Sequence, residues 1–268
     1  MRETRAAAVF AAVFLFIAVD LALFVALGTL ARAAGFVFFQ WIALLSVVCA
    51  TAFSIRVMEG GRWNLGLVVS APLASGELLR GMLFAAVLIV AADAMVLLST
   101  PTRHARGGVF PWFELGMVFL PAALHEELAF RGYLYQKLRS WNRIAAIVIT
   151  AALFAALHLG NRAISPIAVT NILLAGVLLA LGYERRCTLW FPMGLHFVWN
   201  VLSGPILGYG VSGYQPQTTL LRTISAGPAW LSGARFGIEG SIWMGLAEAG
   251  GICWLALQLR RSTLAAPE

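Results

Sequence analysis

Charge is scarce in this sequence: Asp, Glu, Lys and Arg together make up 12% of its 268 residues, against roughly 25% in an average soluble domain. So few charges exclude a soluble globular protein. Cysteine is scarcer still. Cys49, Cys187 and Cys253 are an odd count with no CxxC spacing, so neither a disulfide framework nor a thiolate metal site is indicated. Absent too are a low-complexity tail and any repeat of about 20 to 50 residues. The net charge of +7 is not gathered into a basic patch with interleaved aromatics, which excludes nucleic acid as a partner. What is abundant is apolar: 60% of the residues are hydrophobic and the mean hydropathy is +0.85. Spread over most of the length, that surface exceeds what one buried core absorbs and calls for repeated bilayer spans of about 20 residues each.

Apolar runs fall near residues 6–31, 34–55, 80–99, 113–137, 144–160, 166–183, 187–205 and 241–258. The expected fold is therefore an all-α, polytopic transmembrane helix bundle of about eight spans, forming one integral membrane domain over 1–268. The first run follows Arg2 and Arg5 and ends at Ala31-Arg32-Ala33, but it is longer than a secretory h-region of about 7 to 15 residues, so it is expected to be a retained span. Basic residues near span ends stay in the cytoplasm. The bias, including Arg185-Arg186 and Arg260-Arg261, favours both termini inside. Segment 206–240, with Gly227-Pro228-Ala229-Trp230, is too polar and broken to span and reads as an external loop or re-entrant cap.

Ionisable groups inside spans are costly and mark functional sites by default. Three clusters qualify: His125-Glu126-Glu127-Leu128-Ala129-Phe130-Arg131, Phe154-Ala155-Ala156-Leu157-His158, and His196-Phe197-Val198-Trp199-Asn200. Glu127 and Arg131 stand four apart, the favourable order for an ion pair on one helical face, and read as structural. Glu126, rotated by about 100°, meets no base at i+3 or i+4 and is the carboxylate left for chemistry. His196 and Asn200 share a face. Counted at about 1.5 Å per residue from the inferred cytoplasmic span ends, Glu126, His158, His196 and Asn200 lie at roughly 16, 21, 14 and 20 Å, one layer near mid-membrane. Asp20, Asp93, Glu248 and His104 stand alone in their surroundings and read as structural or interfacial.

His125-Glu126 suggests the HExxH zinc motif, but Ala129 occupies the place of the second histidine, which excludes a zincin. A divalent metal such as Zn2+ held across helices by Glu126, His158 and His196 stays open, since three N/O ligands plus water form a known catalytic zinc set.

The three blocks, Glu126-Glu127-xxx-Arg131, Phe154-xxx-His158 and His196-xxx-Asn200 in order on successive spans, resemble the CAAX protease and bacteriocin-processing (CPBP, or Abi) family of intramembrane proteases, related to the type II CAAX prenyl endopeptidases. The likeness covers about 113–205 and extends weakly to Phe236-Gly237-Ile238-Glu239-Gly240. No departure is found in the core motifs. The resemblance implies an intramembrane endopeptidase in which Glu126 and His158 activate water, His196 and Asn200 stabilise the oxyanion, and Glu127, Arg131 and Phe154 support them; it leaves metal use open. A hydrophobic or lipid-anchored peptide or protein within the bilayer is the implied partner. Short loops, the lack of a targeting extension and similarity to bacterial members point to the plasma (cell inner) membrane. Two other classes compete: a proton-coupled transporter, for which Glu, His and Arg at mid-membrane would form a relay, and a non-catalytic scaffold or immunity factor of the same fold.

Overall fold

A computed structural model describes residues 2–264. Eight long helical segments follow the apolar runs: α1 (Arg2–Ala33), α2 (Phe39–Met58), α3 (Ala71–Ser99), α4 (112–139), α5 (Arg143–Leu157), α6 (Pro166–Glu184), α7 (190–206) and α8 (Ile242–Leu264). Local chemistry sets several starts. Asn142 caps α5 by accepting from the Ala145 amide at 2.9 Å, and Ser165 caps α6 through Ala168 at 3.1 Å, each satisfying an otherwise orphaned N–H. Pro72 and Pro166 sit in first turns, where a missing N–H costs nothing.

Among the described residues, five helices are long and apolar enough to cross a membrane: Arg5–Ala33, Phe39–Met58, Ala71–Ser99, Pro166–Glu184 and Ile242–Arg261. The expected count of eight is therefore too high by this criterion. The three that fall short are those carrying the polar motifs. α5 has 15 residues, about 22 Å of rise against a hydrocarbon core of about 30 Å; α7 is nearly as short, and α4 is charged and irregular. The long apolar helices present large side chains outward, as at Phe14, Leu21, Leu30, Val87 and Leu98, an arrangement suited to lipid rather than water. This is a multi-pass membrane-helix fold.

Helix α4 alternates in pitch. Leu115–Phe119 and Leu128–Leu134 are π-helical, flanking the α-helical Leu120–Glu127. Pro121 explains the first: its ring and missing N–H disrupt α-helical pairing to the preceding turn, and widening relieves the conflict. Pro205 does the same in Leu202–Ile206, the last turn of α7. In the second stretch of α4 the Arg131 carbonyl accepts from the Gln136 side chain at 3.1 Å, so an acceptor left poorly paired by widening is satisfied.

Glycine permits the closest crossings. A Cβ at Gly194 (α7) or Gly81 (α3) would run into the opposing backbone at Leu78 or Phe191, and one at Gly176 (α6) would lie 2.8 Å from the Ala151 Cα of α5. Such contacts replace the hydrophobic driving force that helices lack in lipid with close van der Waals packing.

Segment 206–240 does not span. It contains a strand, β2 (Leu221–Ile224), that pairs antiparallel with β1 (Arg103–Arg106), so the fold is all-α save for one two-stranded ribbon that hydropathy did not anticipate. The ribbon is pinned by Asp93 and His104, as their structural reading expected. His104 Nε2 lies 3.1 Å from both Asp93 oxygens, Tyr209 donates to Asp93 at 2.7 Å, and Thr223 Oγ1 is 3.0 Å from His104 Nδ1.

Candidate functional site

The three motif helices converge on a cavity of about 1100 Å³. Glu126 and His125 reach it from α4, Phe154 and His158 from the end of α5, and His196 and Asn200 from α7. All four residues expected at one depth thus line one space. Glu127 and Arg131 do not line it; they lie behind it, both fully buried.

Behind the wall, the Glu127–Arg131 pair forms at 3.0 Å, as the i,i+4 spacing predicts. It is not self-contained, however. Glu127 Oε1 also accepts from His196 Nδ1 at 2.8 Å, and Arg131 donates to the Gly176 carbonyl at 3.1 Å. The pair is the centre of a buried network joining α4, α6 and α7. Glu127 Oε2 and Arg131 Nε have no hydrogen-bond partner among the described residues. The Arg131 guanidinium stacks 4.8 Å from the Phe154 ring centre, a contact worth most when desolvated. Phe154 also packs its ring 4.8 Å from that of His158 and 6.2 Å from that of His196. The aromatic of the second motif is therefore the spacer that sets both histidines relative to the arginine.

Hydrogen bonding assigns the histidine protons. His158 Nδ1 lies 2.8 Å from the Phe154 carbonyl and His125 Nδ1 3.1 Å from the Pro121 carbonyl. A carbonyl only accepts, so both Nδ1 atoms carry hydrogen, and in the neutral ring Nε2 is the acceptor. His196 Nδ1 is committed to Glu127, and its Nε2 is 3.8 Å from Glu126 Oε2. Glu126 Oε2 is buried without a hydrogen-bond partner. Glu126 and His158 form no direct ion pair, each presenting its side chain to the cavity instead.

The structure bears on the metal set that the motifs left open. Among the described residues, no group of three His, Cys, Asp or Glu side chains is disposed to hold a metal ion. Glu126, His158 and His196 all line the cavity but do not form such a group.

Several cavity residues escaped the motif reading. Asp20 and Glu248, isolated acids in the sequence, both line the cavity; Asp20 accepts from Ser46 at 2.7 Å. Glu239, noticed only within the Phe236–Gly240 segment, accepts from the Trp199 indole at 2.8 Å and from Ser212. Asn171 donates to the carbonyls of Glu239 and Ser241 at 2.7 and 2.8 Å, clamping the turn before α8 onto α6. The intramembrane position of Asp20 and Glu248 was the available signal; Asn171 had none beyond being an amide in an apolar run. At the cap, Tyr214 lines the cavity and donates to Glu114 at 2.9 Å; burial, and then this bond to a carboxylate, push its phenol up to about 12.

Fold and site together define a multi-pass membrane protein whose intramembrane polar residues gather around an internal cavity. Residues 108–202 match the family model described as Type II CAAX prenyl endopeptidase Rce1-like. The matched stretch contains all three motif blocks, so the resemblance drawn from them holds there, and the fold is consistent with a CAAX-protease-like membrane protein. No curated protein and no solved structure matches the chain.

Proposed function

We propose that the chain is an intramembrane endopeptidase that hydrolyses a peptide bond of a hydrophobic or lipid-anchored substrate with water activated by Glu126 and His158. The observation that carries this reading is the contrast between two adjacent carboxylates. Glu127 is tied to Arg131 and His196, whereas Glu126 faces the cavity with a buried oxygen that has no hydrogen-bond partner among the described residues. A desolvated, unpartnered carboxylate beside an imidazole acceptor suits general-base work.

Water held between Glu126 and the Nε2 of His158 gives a proton to the carboxylate as its oxygen attacks the scissile carbonyl. A C–O bond forms, and the carbonyl π pair moves onto oxygen. The oxyanion then receives hydrogen bonds from Asn200 and from Nε2 of His196, in a dry site where preorganised donors are most effective. Donation by His196 requires hydrogen on both ring nitrogens; Glu127 at Nδ1 supplies the counter-charge. Collapse of the oxyanion breaks the C–N bond, and the proton held by Glu126 passes to the departing amine. Arg131 and Phe154 act as positioning residues. The basic-residue bias supports both termini inside, and the short loops and the resemblance to bacterial members support a plasma-membrane location.

The test is cleavage of hydrophobic and lipid-modified peptides by purified wild-type and Glu126→Ala protein in detergent. Cleavage by the wild type alone supports the reading, and equal cleavage by both overturns it. Absence of cleavage by either, with Glu126-dependent proton flux in liposomes, replaces it with the transporter.

A further inference from the structure

The same cavity is lined by two further carboxylates, Glu239, from the turn before α8, and Glu248, from within α8. The two differ in how they are satisfied. Glu239 is seated by neutral donors: Trp199 on one oxygen, and the Ser212 amide and hydroxyl on the other. Glu248 is 1% exposed, lines the cavity, and has a buried oxygen with no hydrogen-bond partner. Neither carboxylate has an ion-pair partner among the described residues. The adjacent Asn171 cannot help, because its amide nitrogen is spent on the carbonyls of Glu239 and Ser241.

An ionisable carboxyl inside a membrane helix is costly and marks a substrate or ion pathway by default. Leu178 and Leu195 line the cavity as well, giving an apolar surface for an aliphatic stem that ends in a charged head. Resting on the endopeptidase reading above, we propose that Glu248 is a specificity-determining residue: it receives the ammonium or guanidinium of a lysine or arginine side chain of the peptide whose scissile bond lies at Glu126. The substrate class is thereby narrowed to hydrophobic peptides with a basic residue near the cleaved bond.

Binding separates this proposal from catalysis. In the Glu126→Ala protein, Trp fluorescence would follow titration with a hydrophobic peptide carrying one lysine, moved stepwise along it, and with its norleucine twin at each position. At one position the lysine peptide should bind at least about tenfold more tightly, and Glu248→Gln should reduce that ratio to about twofold or less while Glu248→Asp keeps part of it. Equal or absent binding of the twins at every position overturns the proposal, as does a lysine preference that survives Glu248→Gln. The comparison of twins in the Glu126→Ala protein needs no Glu248 variant, so misfolding of a Glu248 variant does not rescue the idea. Cleavage without lysine preference sinks the Glu248 proposal and leaves the endopeptidase. A Glu248-dependent preference in binding, without cleavage by the wild type, leaves a cation site and sinks the endopeptidase.

Discussion

Replacing Arg131 by Ala is the sharpest test of the network behind the cavity. The side chain has 0% exposure, donates to Glu127 at 3.0 Å and to the Gly176 carbonyl at 3.1 Å, and stacks on Phe154. Truncation leaves the Glu127 carboxylate, also 0% exposed, with His196 as its remaining partner. Removing one member of a buried ion pair costs about 3 to 5 kcal/mol. The lost charge-assisted bond to the Gly176 carbonyl, which keeps its intrahelical partner, adds about 1.5 to 3 kcal/mol, and the lost ring contact up to about 2 kcal/mol. These contributions share atoms and do not simply add; about 4 to 5 kcal/mol is expected, a large part of the roughly 5 to 15 kcal/mol that holds a typical protein folded. At about 2 to 4 °C per kcal/mol for a chain of this size, the thermal midpoint in detergent should fall by about 10 to 20 °C. Trp fluorescence during heating reads it directly. Arg131→Ala combined with Glu127→Leu should recover part of the loss, because the stranded charge goes with its partner. A midpoint for Arg131→Ala within about 2 °C of wild type would refute the reasoning.

Three further outcomes are expected. Glu126→Gln, which removes the base but keeps the shape, should lower turnover by about 10²- to 10⁴-fold and leave the thermal midpoint within about 2 °C; retained turnover refutes the base assignment. Asn171→Ala strips donors from two buried carbonyls and should destabilise by about 2 to 4 kcal/mol, read as earlier proteolysis between α7 and α8; unchanged protease resistance counts against the clamp. Gly176→Val would drive a side chain into the Ala151 backbone, where overpacking costs about 1 to 3 kcal/mol, and a midpoint equal to wild type would show that α5 and α6 are not locked there.

Much of the fold was legible because helix placement is local information. The run at 113–137 becomes a helix at 112–139, and the one at 166–183 becomes Pro166–Glu184. Counting spans failed for a physical reason: length and apolarity give way in the helices that must carry His125, Glu126, Glu127, Arg131 and His158. That Glu126, His158, His196 and Asn200 share one cavity was legible from spacing and depth, and so was the Glu127–Arg131 pair. The bond from His196 to Glu127 was not, since it depends on how α4 and α7 cross, which is governed by contacts such as Gly81 and Gly194 against the opposing backbones. The ribbon was hidden because its two four-residue strands pair across more than a hundred positions of sequence. Glu239 gave no hydropathy signal, lying in a loop outside the apolar runs.

The widened turn at Leu128–Leu134 acts as a shim. A π-turn accommodates one residue more than an α-turn, and one residue in an α-helix is worth about 100° of rotation. Excising a single residue there would let the backbone relax to ordinary pitch, and the residues on its N-terminal side would keep their facing relative to Tyr135–Arg139, so Glu126 would stay on the cavity wall. A deletion in the regularly wound Leu120–Glu127 has no such slack and would swing the residues before it round by about 100°. Single-residue deletions should therefore be far less damaging at Leu128–Leu134 than in the α-helical turns beside it.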